Sequence, residues 1–213
     1  MSLFERMSVD NMNDEELLAQ ILMFGWAGSE PSELLLQWIK LRSLGSVKVY
    51  GWSTNNVKDV AKSVIKVQEE SLKGRFKIPL YVATDQEGGW IRHIKGRTSD
   101  TPGNLAIGAT GLASDAYYSG YYIAKELRAM GINMNFAPTV DIYTNLNSTV
   151  IGPRAFSSNA LDTGILGASY SQGVIDAGLI PTAKHFPGHG DTSDDSHGHL
   201  PEIQIDFNTL QNR

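Results

Sequence analysis

Short apolar runs alternate along this chain with longer amphipathic ones, and the connections between them are brief. That order constrains the fold more than any other feature. A strand followed by a helix, repeated, brings the next strand back beside the last, so the repeat builds a parallel sheet. Strands are expected over 21–25, 47–50, 78–83, 132–137 and 179–184. Helices are expected over 10–20, 29–45, 56–73, 113–130 and 162–177. Ser29 or Ser32 marks the start of the second helix, Gly45 its stop and Gly178 the stop of the last. Val57, Val60, Val64, Ile65 and Val67 approximate one face of the third helix. No internal repeat or long linker interrupts the series, so one domain over 1–213 is expected.

The segments at the ends of the strands narrow the reading. After Ala83 comes TDQEGGWIRH, after Phe136 comes APTVDIYTNLNSTVIGPRAF, and after Ala183 comes KHFPGHGDTSDDSH. Parallel α/β folds bind ligands at the carboxyl ends of their strands. Titratable and glycine-rich residues collect at those ends here, which favours a barrel-type enzyme over a structural protein. The 18 basic residues are scattered through a chain of net charge −5, so no basic stripe marks a nucleic-acid surface. No apolar run approaches the roughly 20 residues of a membrane span. The absence of cysteine excludes disulfides, thiolate-bound metals and thiol catalysis. The start, Met1 to Arg6, lacks a basic segment followed by an apolar one, so no signal peptide is read. The default location is the cytoplasm, with an exported form open if a signal was removed.

The glycine-rich run from Lys184 to His197 holds His185, His189, His197, Asp191, Asp194 and Asp195, and His199 comes just after it. Asp195 stands two residues before His197, where a carboxylate bonds a ring Nδ1–H and leaves Nε2 facing outward. Such a pair can give a proton to a leaving group and later take one from water. A solvated Asp/His loop is the plainer reading. A metal site is a third, since His185, His189, His197, His199 and the three aspartates offer ligands. Pro187 and Gly188 interrupt the helix that His185 and His189 would need at their spacing. Asp85, opening DQEGG, can accept sugar hydroxyls or sit in an ordinary turn, and the paired acids Asp85 and Glu87 suit a general acid and a nucleophile. Arg154 offers a planar fork, against a surface ion pair. Asp141 caps a loop or supports the site from below. His189 is read as structural, its ring bonded to backbone in the turn.

The segments DQEGG, NFAPTVDI, IGPRAF and KHFPGHGDTSDDSHGHLP, in that order, resemble glycoside hydrolase family 3, in its β-N-acetylglucosaminidase subgroup. The resemblance runs from ELLAQILMFGW to LPEIQIDFNTL. It implies a (β/α)8 barrel and retaining removal of terminal β-linked N-acetylglucosamine through a covalent glycosyl-enzyme, with no cofactor and no metal. The subgroup's acid/base dyad falls on His197 and Asp195. Asp85, Arg154, Lys184 and His185 fall on its sugar-contact positions. The arginine that usually comes after the DQEGG-type motif is replaced by His93, with Arg92 beside it. The family's nucleophile is an aspartate on a later strand, and it is expected beyond Arg213. A whole barrel takes about 250 residues, so an incomplete barrel of about five parallel strands with flanking helices is expected. Its open edge would invite self-association. Two alternatives stand beside the hydrolase: a catalytically deficient sugar-binding fragment, and a metal-dependent hydrolase using the His/Asp loop.

Overall fold

The computed structural model describes residues 9–53, 56–193, 195, 197–198, 200–203 and 205–211. The first eight residues, which bear on the presence of a leader, lie outside that set, as do Asp194 and His199 of the metal reading.

Five parallel strands form one sheet: β1 (Met23–Gly25), β2 (Ser46–Val49), β3 (Tyr81–Thr84), β6 (Met134–Asn135) and β7 (Ile180–Pro181), paired in that order. Each pairs with its neighbour in the series, the order of a singly wound, barrel-type strand–helix repeat. A bridge from Thr139 to Lys184 continues the last pairing beyond the strands. The expected α/β class is thus observed, with shorter strands than the apolar runs suggest. At the first strand Ile21 and Leu22 fall outside, and both are exposed. The DQEGG segment, for which an ordinary turn is one of the two readings, opens an antiparallel hairpin, β4 (Gln86–Gly88) with β5 (Ile91–Arg92).

Between β1 and β2 lies α2 (Glu33–Arg42), capped by Ser32, whose hydroxyl accepts from the Leu35 N–H. It ends on Ser43 in the left-handed conformation, not at Gly45. Gly45 is a glycine for another reason: an added Cβ would overlap the Gln20 carbonyl. Helix α1 (Asp14–Gln20) opens with a capping box of Asn13 and Glu16. Helix α3 (Val57–Leu72) comes after β2, with Asn56 as its cap. Val60, Val64 and Val67 are buried, but Ile65 is exposed, because it lies about 100° round the helix from Val64. Helices α4 (Asn104–Thr110) and α5 (Ala113–Ala129) separate β5 from β6. Helix α6 (Ala160–Asp176) separates β6 from β7, and α7 (Phe207–Gln211) lies beyond β7. The core between sheet and helices includes Val47, Val49, Val82, Ile123, Leu127, Ile132, Phe156 and Tyr170.

The buried faces are cross-tied by side-chain amides. Asn133 accepts from Val82 N–H and donates to Leu80 O. Asn135 does the same to Gln86 N–H and Gln86 O. The Gln86 amide in turn holds the Ile94 N–H and C=O. These reciprocal pairs satisfy buried backbone that the short strands leave over. They also hold the segment after β3 rigidly, and the site is built on that segment.

Candidate active site

Gln86 points into the scaffold, so its neighbours Asp85 and Glu87 point the other way, as alternation in an extended chain dictates. Both carboxylates meet cations. Glu87 is 2% exposed. Arg154 grips it with two donors, Nε to Oε2 at 2.9 Å and Nη2 to Oε1 at 2.8 Å. Lys184 Nζ reaches Glu87 Oε1 at 2.6 Å and Asp85 Oδ1 at 2.7 Å. Lys48, from β2, reaches the other Asp85 oxygen at 2.7 Å. Thr139 donates to Glu87 at 3.0 Å. Burial acts to raise both carboxyls. For Asp85 the charges and hydrogen bonds of Lys184 and Lys48 outweigh it and hold the group below its ordinary range. For Glu87 the Arg154 hydrogen bond and the Lys184 charge do the same. Arg154 is therefore no surface ion pair. It is held further by the Val150 carbonyl, with its own carbonyl bonded to Asn104.

His185 comes directly after Lys184. Its Nδ1 lies 2.6 Å from Asp141 Oδ2 and its Nε2 lies 3.4 Å from Arg154 Nη2. A guanidinium only donates, so Nε2 accepts, and Nδ1 carries the proton and donates the hydrogen bond to Asp141. Asp141, buried, supports the site from beneath: its second oxygen accepts the His189 N–H at 2.6 Å. Burial pushes the Asp141 carboxyl up, but the hydrogen bond from His185 and that backbone donor win, and it is held low. The ring of His189 bonds the Thr192 hydroxyl, not backbone.

The second Asp–His pair is open where the first is enclosed. Asp195 Oδ1 receives His197 Nδ1 at 2.6 Å and the His197 N–H at 2.9 Å. Both hydrogen bonds, the backbone one first, hold the Asp195 carboxyl below its ordinary value. The His197 side chain is 85% exposed. Its Nε2 has no partner among the described residues. An imidazole oriented by a carboxylate, with the far nitrogen open to a cavity, is arranged to pass a proton.

The seven residues that the resemblance puts at the acid–base and sugar-contact positions occupy one region. Asp85, His93, Arg154, Lys184, His185 and His197 line a cavity of about 610 Å³, and Asp195 holds His197 at it. Of the two residues at the replaced arginine position, His93 faces the cavity, while Arg92 turns to Asp100. Burial lowers the His93 imidazole below its ordinary value. The sequence reading misses Lys48, and it offers Glu87 only as one of a catalytic pair. Period-two alternation in D-Q-E could have placed Glu87 beside Asp85 on one face. Lys48 carries no local signal, because it belongs to a separate strand. Among the described residues no three His, Asp or Glu side chains gather as metal ligands.

Known proteins agree with this architecture. Residues 14–213 match the glycosyl hydrolase family 3 N-terminal domain. A β-hexosaminidase A of Pseudoalteromonas piscicida is 35% identical over 181 residues, 83% of this chain and 30% of that protein. A β-N-acetylglucosaminidase/β-glucosidase of Cellulomonas fimi is 30% identical over 192 residues, 90% of this chain and 32% of that one. The solved structure of a family 3 β-N-acetylglucosaminidase from Paenibacillus sp. superposes with a TM-score of 0.89 at 36% identity, over 94% of this chain and 38% of that chain. A fungal multi-domain family 3 β-N-acetylglucosaminidase gives 0.91 at 32% identity, over 94% of this chain and 24% of that chain. The chain thus spans about a third of the length of the curated relatives it matches. By its match over nearly all its residues and by its fold, this chain belongs to glycosyl hydrolase family 3, through the N-terminal domain.

Proposed function

We propose that this chain forms the sugar-binding and acid–base part of a retaining β-N-acetylhexosaminidase. One observation carries the reading: the open Asp195–His197 pair stands at a cavity whose other walls are the fixed donors and acceptors Asp85, Arg154, Lys184 and His185. Those groups suit the hydroxyls of a terminal sugar. The His197 imidazolium gives the Nε2 proton to the glycosidic oxygen as the bond to the anomeric carbon breaks. Asp195 keeps the Nδ1 proton in place throughout. The neutral ring then takes a proton from the water that hydrolyses the glycosyl-enzyme. The attacking carboxylate is neither Asp85 nor Glu87, since ammonium or guanidinium groups already engage the oxygens of both. We place it in sequence that the longer relatives have and this chain does not span.

The protein containing this chain should release nitrophenol from nitrophenyl N-acetyl-β-glucosaminide. His197→Ala should lower that turnover by about 10²–10⁴-fold, the usual worth of a positioned acid–base group. Equal turnover by the variant would overturn the assignment. The ion pairing of Asp85 and Glu87 favours a second reading for the chain taken alone, a sugar binder that does not cleave. Calorimetry with N-acetylglucosamine should then show binding without product.

A further inference from the structure

One wall of the cavity is aromatic, and the acid–base chemistry does not use it. It comes from K-V-Y-G-W, at the end of β2. Alternation buries Val47 and Val49 in the core and turns Lys48 and Tyr50 toward the cavity. Residues Gly51–Ser53 then form a single 3₁₀ turn. Two hydrogen bonds pin it to one carbonyl: the Trp52 indole N–H donates to Trp26 O at 3.3 Å, and the Ser53 hydroxyl donates to the same atom at 2.8 Å. Trp52 lies flat on Tyr50, with ring centroids 4.4 Å apart and planes 7° from parallel. Lys48 Nζ sits 4.5 Å from the Tyr50 ring centroid, so the salt-bridged floor and the aromatic wall are one packed unit.

Trp52 is nevertheless 67% exposed. Its indole N–H is engaged, so the side chain offers a fixed, flat, apolar face. The C–H face of a pyranose fits such a plate, as aromatic faces take flat or apolar partners generally. Depth assigns which ring it meets. The polar groups Arg154, Lys184, Asp85 and Lys48 are all mostly buried, so a ring held by them sits deep. Trp52 stands at the rim, as does His197. We propose that Trp52 is the stacking plate for the second sugar ring, on the leaving-group side of the bond that His197 protonates. The inference rests on the sugar-binding reading above. It makes oligosaccharides of β-linked N-acetylglucosamine the preferred ligands over the single sugar.

Calorimetry on the full chain with N-acetylglucosamine and with N,N′-diacetylchitobiose tests it, in the wild type, Trp52→Ala and Trp52→Phe. The ratio of disaccharide to monosaccharide affinity should fall about tenfold in Trp52→Ala, the order of one aromatic stacking face. Trp52→Phe keeps a ring on Tyr50 and should keep most of the ratio. An unchanged ratio in Trp52→Ala, whether or not both affinities weaken together, overturns the plate and leaves the functional reading standing. Failure of the wild type to bind either sugar overturns that reading, and the plate with it.

Discussion

Glu87 shows how much one residue can hold. Its two oxygens receive Arg154 in a fork, Lys184 and Thr139, in a place that water scarcely reaches. Removing its charge leaves the buried Arg154 guanidinium without a carboxylate and Lys184 with Asp85 alone. Glu87→Gln should therefore cost about 3–5 kcal/mol, the usual penalty for breaking a buried pair from one side. Urea denaturation measures it, as a lower midpoint at an unchanged slope. A loss under about 1 kcal/mol would mean that Arg154 and Lys184 find other partners. Asp141 is read in the same way: its local sequence, T-V-D-I, allows a loop cap, while its function as the seat of His185 comes from a turn over forty residues on. By contrast the Asp195–His197 contact spans two residues, and so it is legible directly.

Among the elements, α5 and α6 make the closest pairing, and glycines permit it. A Cβ on Gly173 would overlap the Tyr117 carbonyl, and one on Gly120 would overlap the Tyr170 carbonyl. Those neighbours are backbone and cannot rotate away. Gly164, also in α6, faces open space. Alanine gains about 1 kcal/mol of helix propensity over glycine at either position. At Gly164 nothing opposes that gain, and Gly164→Ala should raise the melting temperature. At Gly173 the helices must part, and overpacking of this kind costs about 1–3 kcal/mol. Gly173→Ala should thus lower the melting temperature, by thermal unfolding followed in the far ultraviolet. Opposite signs on one helix separate packing from propensity. The helices are largely legible in the sequence, because a 3.6-residue period is local. Strands read from apolar runs are too long, since such a run marks burial but not which residues pair.

At the scale of the molecule, the buried charges make stability depend on pH. Asp85, Glu87 and Asp141 all have carboxyls held below their ordinary values of 3.8 and 4.5. The unfolded chain therefore binds these protons first. Their stabilisation is complete above about pH 4.5 and is lost as pH falls through the lower folded values. His93, lowered by burial from 6.5, acts in the same sense, its part beginning to fade below that value. Urea midpoints should be level from about pH 8 to 7, decline gently below about 6.5 and fall steeply under about 4.5. The steep part should be shallower in Glu87→Gln. A midpoint that rises on acidification would show that these ion pairs are absent in solution. The sequence by itself determined the class of the fold and the neighbourhood of the site. Hydrophobic period and turn residues act over a few positions, and strand ends in a parallel sheet all open on one side. Only the tertiary structure decided which charges meet. Lys48, the neighbouring acids Asp85 and Glu87, Arg154 and Lys184 come from four separate segments of the chain. An ion pair between distant segments is made by distance in space, which no local pattern of residues encodes.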